Sequence, residues 1–427
     1  MTMTAVAPSL RAMRGSNPPL ASVALVVPRS LPLLVAALSM IGPFAIDTYL
    51  PSFRELESSL HATPLQVQQS LTAYLLPFAL MSLWHGSISD ALGRRRVILV
   101  SLVLLAATSV GCALAPNIQV LWIFRALQGL ASGAGLVVGR AVVRDVYEGH
   151  AAQRAMATVT MIFTIAPAIA PVLGGWLQEW FGWRSVFYFL AFFSLGLGLW
   201  SLLKLPETLP PERRHSLHPR FLLQSYVRTL TSGAFLAAAF AAALNFAALF
   251  LYISSAPVFL LRHLGLRETQ FYWLFVPMPA GMLLGAMLSG RLAGRLSAGR
   301  TVWLGYVAMI LAAGVNVAFH ALHAPELPWS VAPLFLYAGG MALALPSLVL
   351  FGLDLFPQQK GLAASCQAFL MSLVNTVTAG LLSPFANASA FRLALVSAML
   401  SAGGLLCAMA YGSTQRRERG RALSAAL

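Results

Sequence analysis

Long apolar runs alternate with short polar segments along almost the whole chain. The first run covers 31–51 and has no charge in its first sixteen residues, and an apolar run of this length predicts a transmembrane helix. Eleven further runs follow, at 69–89, 97–114, 120–143, 157–177, 186–203, 234–259, 271–290, 302–319, 331–353, 362–385 and 393–411. The pattern predicts an all-α membrane protein with twelve transmembrane helices, numbered here as spans 1 to 12.

Composition supports this class. Hydrophobic residues make up 58% of the 427 positions, charged residues make up 10%, and the mean hydropathy is +0.76, which excludes an ordinary water-soluble domain. The net charge of +15 would suggest nucleic acid in a soluble chain, but here we expect no nucleic-acid partner, because basic residues of membrane proteins collect in loops. The three cysteines, Cys112, Cys366 and Cys407, show no metal-ligand or disulfide spacing.

The basic residues are distributed very unequally between the two sides of the predicted spans. One side holds 22 of the 28, the other holds five, and Arg125 alone lies inside a span. Because Lys and Arg concentrate in cytoplasmic loops, this asymmetry predicts a multi-pass inner-membrane protein with both termini in the cytoplasm. A cleaved signal peptide is the alternative interpretation of the first thirty residues, although no small-residue cleavage site follows their short apolar run.

The spans divide into two halves that repeat each other faintly. The segment GSISDALGRRR begins at Gly86 and GRLAGRLSAGR begins at Gly290, 204 residues later, with Gly294 in the position of Asp90. Two six-helix pseudo-repeats are typical of a transporter whose binding site lies between the halves near the midplane. The predicted segments are a cytoplasmic tail at 1–30, a six-helix bundle at 31–203, a cytoplasmic loop at 204–228, a second bundle at 229–411 and a basic cytoplasmic tail at 412–427.

Asp47 is the acid that stands out, because it lies inside span 1. Inserting an acidic residue within a transmembrane helix costs roughly 2.5 to 3.5 kcal/mol on insertion scales. Such a residue is therefore expected to face a polar interior and to have a function. The alternative is that Asp47 is solvated at the membrane surface. Arg125 in span 4 lies about 9 Å from its end, at about 1.5 Å per residue, and Asp47 lies at a similar depth.

A buried acid and base at equal depth would relieve each other's desolvation, so Asp47 and Arg125 are predicted to couple protons to substrate. The alternative for Arg125 is that it binds backbone carbonyl groups only and shapes the cavity.

The residues of several motifs resemble a known family. Gly86, Asp90, Gly93, Arg94 and Arg95 match the loop signature of the major facilitator superfamily, although Ala91 stands where the family usually has a basic residue. Further matches follow in order: DTYLP at 47–51, RALQG at 125–129, VVRDVYEG at 142–149, APVLGG at 170–175 and LPETL at 205–209. The chain is most similar to the twelve-span drug:proton antiporter group, in its Bcr/CflA multidrug efflux branch, and the resemblance implies the major facilitator fold.

The resemblance also implies roles for two of these motifs. The loop after span 2, Gly86 to Arg95, would form a cytoplasmic gating latch with Asp145 and span 11, whereas the alternative is a set of ordinary positive-inside charges. Asp90 could also cap the start of a neighbouring helix. The motif of span 5, with Pro167, Pro171, Gly174 and Gly175, resembles the one that distinguishes exporters, although Ala170 stands in place of its usual glycine. A kinked, tightly packed interface helix is the alternative for span 5.

The remaining polar residues of the spans are few. Such an apolar lining suits lipophilic drugs better than sugars, whose hydroxyl groups need dense hydrogen bonding. The candidates for cavity lining are Gln128, Asn245, Tyr252, Gln367 and Asn375, and each of them has helix packing as its alternative.

The predicted function is proton-coupled efflux of small lipophilic drugs or antibiotics by alternating access. The partners are the drug-like substrate, protons and the lipid bilayer; no cofactor is expected, and we expect a monomer. One alternative is a metabolite exporter or importer of the same fold, for sugars or amino acids. A second is a membrane-embedded enzyme, although the sequence contains no P-loop, catalytic triad or His/Cys ligand cluster.

Overall fold

The structure, a computed structural model, describes residue 28, residues 30–214 and residues 219–426. In this part of the chain, twelve helical spans are long and apolar enough to cross a membrane, as the hydropathy pattern predicts. Spans 1 to 6 are Leu31–Ser59, Pro64–Leu92, Arg94–Ala113, Ile118–Val146, Gly149–Phe181 and Arg184–Lys204. Spans 7 to 12 are Gly233–Ser254, Glu268–Leu292, Ala298–Leu322, Ala332–Asp354, Pro357–Ala386 and Ala390–Gln415.

Polar residues set where several spans begin. The Thr63 hydroxyl accepts a hydrogen bond from the Gln66 backbone at 3.2 Å, and the Gln66 side chain accepts one from the Thr63 backbone at 2.8 Å. This reciprocal capping box satisfies two backbone donors that the helix leaves free. Pro64 follows as the first residue of span 2, where its missing N–H group costs nothing. Asn117 caps span 4 in a similar way, through a 3.0 Å bond from the backbone of Val120.

The pattern of helix packing repeats between the halves. In the first half, span 2 packs on span 4, span 3 on span 6, and span 1 on span 5. In the second half, the corresponding pairs are spans 8 and 10, spans 9 and 12, and spans 7 and 11. The duplication that is faint in the sequence is therefore clear in the packing, and the halves meet along spans 2 and 11 and along spans 5 and 8.

Span 1 is interrupted close to its acid. Its helical segments are Leu31–Ser39, Ile41–Asp47 and Phe53–Ser59, with a 3₁₀ turn at Leu50–Ser52. Pro51 lies in that turn, and a proline removes one backbone donor and disfavours a continuous α-helix through its position. The sequence predicts an unbroken helix here, whereas Asp47 is in fact the last residue of a helical segment.

Several predicted boundaries are wrong by one or more turns. Span 2 continues to Leu92, so Gly86 and Asp90 lie in a helix rather than in a loop. The predicted central loop contains a helix at Pro219–Leu230, called the linker helix below, and the last helix continues through the predicted basic tail to Ala426. Hydropathy detects only the apolar part of a helix, and polar helical turns escape it. Residues 1–27 and residue 29 of the predicted cytoplasmic tail at 1–30 lie outside the described residues.

Candidate functional site

Asp47 is buried and has no partner in the described part of the chain. Its side chain is 4% exposed. Among residues 28, 30–214 and 219–426, its carboxyl group makes no hydrogen bond and has no basic group within 4.0 Å. Buried charges are normally paired or hydrogen-bonded, because burying an unpaired charge is costly. The Asp47 carboxyl group is therefore a buried acid without a bound partner among the described residues.

Arg125 holds the helical segment that carries Asp47, and it does so through the backbone. Its Nη1 atom donates hydrogen bonds to the Ala45 carbonyl oxygen at 2.9 Å and to Gln128 Oε1 at 2.6 Å. Its guanidinium group lies 4.8 Å from the ring centre of Tyr49 and 4.4 Å from that of Tyr74, so two aromatic rings stabilise the cation. Contacts through the backbone are the alternative that the sequence left open for Arg125.

The direct charge pair between Arg125 and Asp47 is absent from this conformation of the described residues. Arg125 Nε and Nη2 are buried and have no hydrogen-bond partner there. A buried donor without an acceptor costs about 1 to 3 kcal/mol. Two donor atoms of Arg125, Nε and Nη2, are therefore free to bind an acceptor in another conformation of the protein.

A chain of polar contacts spreads from Arg125 through the first half. Gln128 Nε2 donates to the Ser109 hydroxyl at 2.8 Å, which links span 4 to span 3. The Tyr49 and Ser70 hydroxyl groups are 2.6 Å apart, which links span 1 to span 2. Four spans therefore share one buried polar network, and Gln128 belongs to that network through Arg125 and Ser109.

The glycines of span 5 lie where two other segments come very close. A Cβ atom on Gly174 would collide with the backbone of Thr48, the residue after Asp47. A Cβ atom on Gly175 would collide with the Glu268 carbonyl group of the second half. Pro167 and Pro171 lie two turns and one turn earlier, within a helix that runs without interruption from Gly149 to Phe181. Span 5 thus packs tightly against both the Asp47 segment and the opposite half, as the packing interpretation predicts.

The two halves are joined at the end of the bundle that holds Glu57, called the Glu57 end. Gln68 Nε2 donates to the carbonyl oxygens of Ser254 and Ala379, at 3.2 Å each, and Gln69 Nε2 donates to that of Gly380 at 2.9 Å. Ala379 and Gly380 lie within a π-helical turn at Thr378–Leu382, and Ser254 lies three residues before another at Pro257–His263. Such turns are frequent at functional sites.

An ion pair completes these contacts, because Arg262 Nη2 lies 2.8 Å from Glu57 Oε2. The hydrogen bonds of Gln68 and Gln69 together with this ion pair are called the glutamine clasp below. Sequence analysis missed the clasp, since a glutamine pair at the start of a span is also what an ordinary helix boundary contains.

A cavity of about 540 Å³ lies between the halves at the same end. Its wall includes both members of the Glu57–Arg262 pair, Gln68 of the clasp, and apolar side chains such as Phe53 and Leu261. None of the predicted lining residues contributes to it. This cavity is therefore distinct from the central site that the sequence predicts.

The predicted lining residues of the second half make helix contacts instead. The Tyr252 hydroxyl accepts a hydrogen bond from Asn316 Nδ2 at 2.6 Å. The Asn245 carbonyl group accepts one from the Tyr337 hydroxyl at 3.1 Å, and Gly404 lies directly against the Asn245 side chain. Asn375 and Gln367 are buried within span 11. In this conformation the positions of Asn245 and Tyr252 agree with the packing alternative.

An ion network lies at the opposite end of the bundle, called the Asp90 end. Arg94 Nη1 lies 2.5 Å from Asp90 Oδ1, and Arg94 Nε lies 3.0 Å from Asp145 Oδ2. The Ser89 hydroxyl accepts a further bond from Arg94 Nη1 at 2.6 Å. Arg94 therefore joins the ends of spans 2 and 4, and the structure brings together three residues that the resemblance assigns to one latch.

Glu207 is a member of this network that the sequence did not single out. Its Oε1 atom accepts hydrogen bonds from the backbone N–H groups of Arg94 at 2.9 Å and Leu209 at 3.1 Å. It thereby caps the start of span 3, where a negative charge is favoured by the helix dipole. The prediction that Asp90 caps the start of a neighbouring helix is wrong. Asp90 pairs with the Arg94 side chain, and Glu207 accepts the hydrogen bond from the first backbone N–H group of span 3. The LPETL motif at 205–209, which contains Glu207, was the only signal in the sequence that could have indicated this role.

The two glycines of the loop signature differ in role. Gly93 has a φ of +96°, which L-residues with side chains rarely adopt, and it forms the turn between spans 2 and 3. Gly86 lies inside span 2 with nothing among the described residues near its would-be Cβ atom, so no close packing requires a glycine there. Arg95 points elsewhere and donates to the Leu202 carbonyl oxygen at 2.7 Å.

Two repeated six-helix bundles, joined along four spans and holding a buried acid and base in one half, define a membrane transporter. The sequence matches the Major Facilitator Superfamily over residues 32–379, and the chain belongs to that family.

The sequence is similar to several transporters of this family. It is 30% identical to the MFS-type transporter YdgK of Bacillus subtilis, over 82% of this chain and 88% of that protein. It is 28% identical to a bicyclomycin resistance protein homolog of Haemophilus influenzae, over 62% and 67%. It is also 28% identical to the multidrug resistance protein MdtL of Escherichia coli, over 68% and 73%. These names agree with the Bcr/CflA-type resemblance of the motifs.

Solved structures share the fold at low sequence identity. A bacterial homolog of the lysosomal transporter Spinster, in an inward-facing and occupied conformation, superposes with a TM-score of 0.69 at 16% identity, covering 90% of this chain and 96% of that one. A D-xylose–proton symporter superposes with a TM-score of 0.67 at 14% identity, covering 90% and 96%. At these identities the similarity establishes the fold alone.

Proposed function

We propose that this protein exports small lipophilic drugs or antibiotics across the inner membrane in exchange for protons. The observation that carries the proposal is the state of Asp47, which is a buried carboxyl group without a fixed partner. A residue that couples protons to transport has to gain and lose a proton during the cycle, and a permanent ion pair would resist that exchange.

The surroundings of Asp47 support a coupling role. Arg125 contacts the segment that ends at Asp47, and Gly174 of span 5 packs on the next residue. Span 5 in turn contacts the opposite half through Gly175. Span 5 therefore connects the Asp47 segment directly to the interface between the halves. A change in the protonation of Asp47 can reach that interface through these contacts.

The direction and the substrate class rest on separate observations. The asymmetry of 22 against five basic residues favours an orientation with the Asp90 end in the cytoplasm. The glutamine clasp would then hold the two halves together on the outer side. Relatives named for bicyclomycin resistance and multidrug resistance favour drugs or antibiotics as the substrates.

A resistance assay tests the substrate class. The wild-type chain and Asp47→Asn are expressed at equal membrane levels in a host that lacks its own efflux pumps. We expect the wild type to raise the inhibitory concentration of lipophilic antibiotics of the bicyclomycin or chloramphenicol type several-fold, and Asp47→Asn to raise it little. Equal susceptibility of the wild type and an empty-vector strain across a broad panel would contradict drug export, whereas acquired sensitivity would indicate import.

A further inference from the structure

The linker helix Pro219–Leu230 has three different faces. One face packs on the protein through Leu222, Ser225, Tyr226 and Thr229. The next face consists of Leu223 and Val227, whose side chains are 59% and 53% exposed. The last face carries the polar residues Gln224 and Arg228, both exposed. At about 100° per residue the three faces follow one another around the helix in this order.

Tyr226 fixes the helix to the protein. Its hydroxyl donates to the Leu83 carbonyl oxygen of span 2 at 2.7 Å, and its ring lies edge-on to Trp84 with 6.5 Å between ring centres. Apolar side chains of spans 7 and 11, including Phe235 and Leu370, complete the contact. The linker helix therefore touches both halves, while the described residues leave Leu223 and Val227 more than half exposed.

The depth of this contact is set by its position on span 2. Leu83 lies about 13 Å before the end of that span at Leu92, at about 1.5 Å per residue. Span 2 has 29 residues, or about 43 Å, which exceeds the hydrocarbon core of about 30 Å. With the excess of about 13 Å shared equally by the two ends of span 2, Leu83 lies about 7 Å below the boundary between headgroups and acyl chains, which is within the depth of roughly 5 to 10 Å that interfacial helices reach. Trp and Tyr concentrate at that boundary, in agreement with the Trp84–Tyr226 pair.

We infer that the linker helix is a lipid-binding element of the membrane interface, with Leu223 and Val227 among the acyl chains and Arg228 on the headgroup phosphate of an anionic lipid. A helix with an apolar face and a basic polar face lies in the interface plane in this way. Arg228 has no carboxylate within 4.0 Å among the described residues. Under the proposed orientation it faces the leaflet in which anionic lipids attract basic residues.

A label on each face tests the immersion. Single cysteines at Leu223, Val227 and Gln224 are introduced into a full chain that lacks Cys112, Cys366 and Cys407 and keeps the wild-type thermal midpoint. Each is spin-labelled in vesicles of phosphatidylcholine and phosphatidylglycerol. We expect labels at 223 and 227 to collide preferentially with oxygen, which dissolves in acyl chains, and the label at 224 to collide with a water-soluble nickel chelate. A preference for the nickel chelate at all three positions would overturn the inference.

A pair of charge variants tests the anionic lipid. The thermal midpoint of the full chain is compared in nanodiscs of phosphatidylcholine alone and with added phosphatidylglycerol, for the wild type, Arg228→Gln and the matched control Arg300→Gln. Arg300 is exposed at the same end of the bundle, so its loss removes the same charge away from the linker helix. We expect phosphatidylglycerol to raise the wild-type midpoint, Arg228→Gln to lose at least half of that rise, and Arg300→Gln to keep it.

Two outcomes of this comparison would overturn the lipid assignment. Equal losses in both variants would indicate a general effect of charge. An equal rise of the wild-type midpoint when soluble glycerol phosphate is added to phosphatidylcholine nanodiscs would indicate a site for a soluble anion. Neither readout depends on drug efflux, so failure here leaves the proposed transport function untouched.

Discussion

Arg125 donates a 2.9 Å hydrogen bond to the backbone carbonyl group of Ala45, two residues before Asp47. The buried base of span 4 therefore contacts span 1 beside the buried acid without forming an ion pair with it. The Asp47 carboxyl group therefore has no fixed partner in the described part of the chain, while the helical segment that contains it is bound to the polar network of Arg125. Two unused donors on Arg125 give it the capacity to bind the acid, or a substrate, in another state of the cycle.

Asp47 and Arg125 are predicted to be functionally coupled across the states of the transporter. Neighbouring residues that share a network show interaction energies of about 0.5 to 3 kcal/mol in double-mutant cycles. We therefore expect Asp47→Asn, Arg125→Gln and the double variant to be non-additive by about 0.5 kcal/mol or more in drug binding and in stability. Additive effects in both measurements would reject the coupling while leaving a separate role for Asp47.

Arg125→Lys is the control for charge alone. Lysine keeps the positive charge but lacks the planar guanidinium group. That group contacts both Ala45 and Gln128 and lies against the rings of Tyr49 and Tyr74. We expect Arg125→Lys to impair transport nearly as much as Arg125→Gln. Full activity of the lysine variant would show that charge alone suffices at this position.

The ion network at the Asp90 end is predicted to act in gating. Asp90→Ala removes one of the two carboxylates that hold Arg94, so the contact between spans 2 and 4 weakens. We expect the transport rate to fall more than drug affinity does, measured as efflux and as equilibrium binding to the purified protein. Asp354→Asn, which removes an exposed acid paired with Lys360 at 3.4 Å, is the control and should leave transport nearly unchanged. Equal losses of binding and transport in Asp90→Ala would indicate a folding defect or a substrate contact.

Glu207 is expected to contribute stability through its cap of span 3. Loss of a helix cap costs about 1 kcal/mol, and Glu207→Ala also leaves Arg214 without the carboxylate that lies 3.9 Å away. We expect a lower thermal midpoint for Glu207→Ala, whereas Glu207→Gln, which keeps an acceptor oxygen, should lose less. An unchanged midpoint in both variants would show that the cap is dispensable.

The glutamine clasp is predicted to hold the Glu57 end closed. Gln68→Ala removes two hydrogen bonds between the halves, and each such bond contributes about 0.5 to 1.5 kcal/mol. A cysteine at Val258, in the wall of the 540 Å³ cavity, reports opening through its rate of labelling by a membrane-impermeant thiol reagent. We expect several-fold faster labelling in Gln68→Ala than in Gln119→Ala, an exposed glutamine of the same half. Equal rates would argue against a gate at this position.

The sequence predicted the helices better than it predicted the contacts. Twelve apolar runs give twelve spans, because burial in lipid requires a long uninterrupted apolar stretch. The contact between Arg94 and Asp145 was also accessible to sequence analysis, because the resemblance of the two motifs to the family implied it. The helical repeat was harder to see, because Gly294 replaces Asp90 and the duplication survives mainly in the packing.

Three features could not be predicted, each for a physical reason. The glutamine clasp depends on which carbonyl groups are free at the end of span 7 and in the π-helical turn of span 11, and backbone geometry of this kind leaves no hydropathy signal. The linker helix is short and amphipathic, so a search for long apolar runs passes over it. Matched depth suggested that Asp47 and Arg125 meet, but depth does not fix the direction of a side chain, and Arg125 turns toward Ala45 and two tyrosine rings.

Proton-driven efflux by Asp47→Asn tests the central claim most directly. Asparagine preserves the volume of Asp47 but cannot titrate. Proteoliposomes are loaded with drug, and efflux is measured with and without an imposed proton gradient, alongside drug–drug exchange without a gradient. We expect the gradient to accelerate efflux in the wild type and in Asp354→Asn but not in Asp47→Asn, while exchange persists in all three. Acceleration of efflux in Asp47→Asn equal to that of the wild type would contradict proton coupling at Asp47.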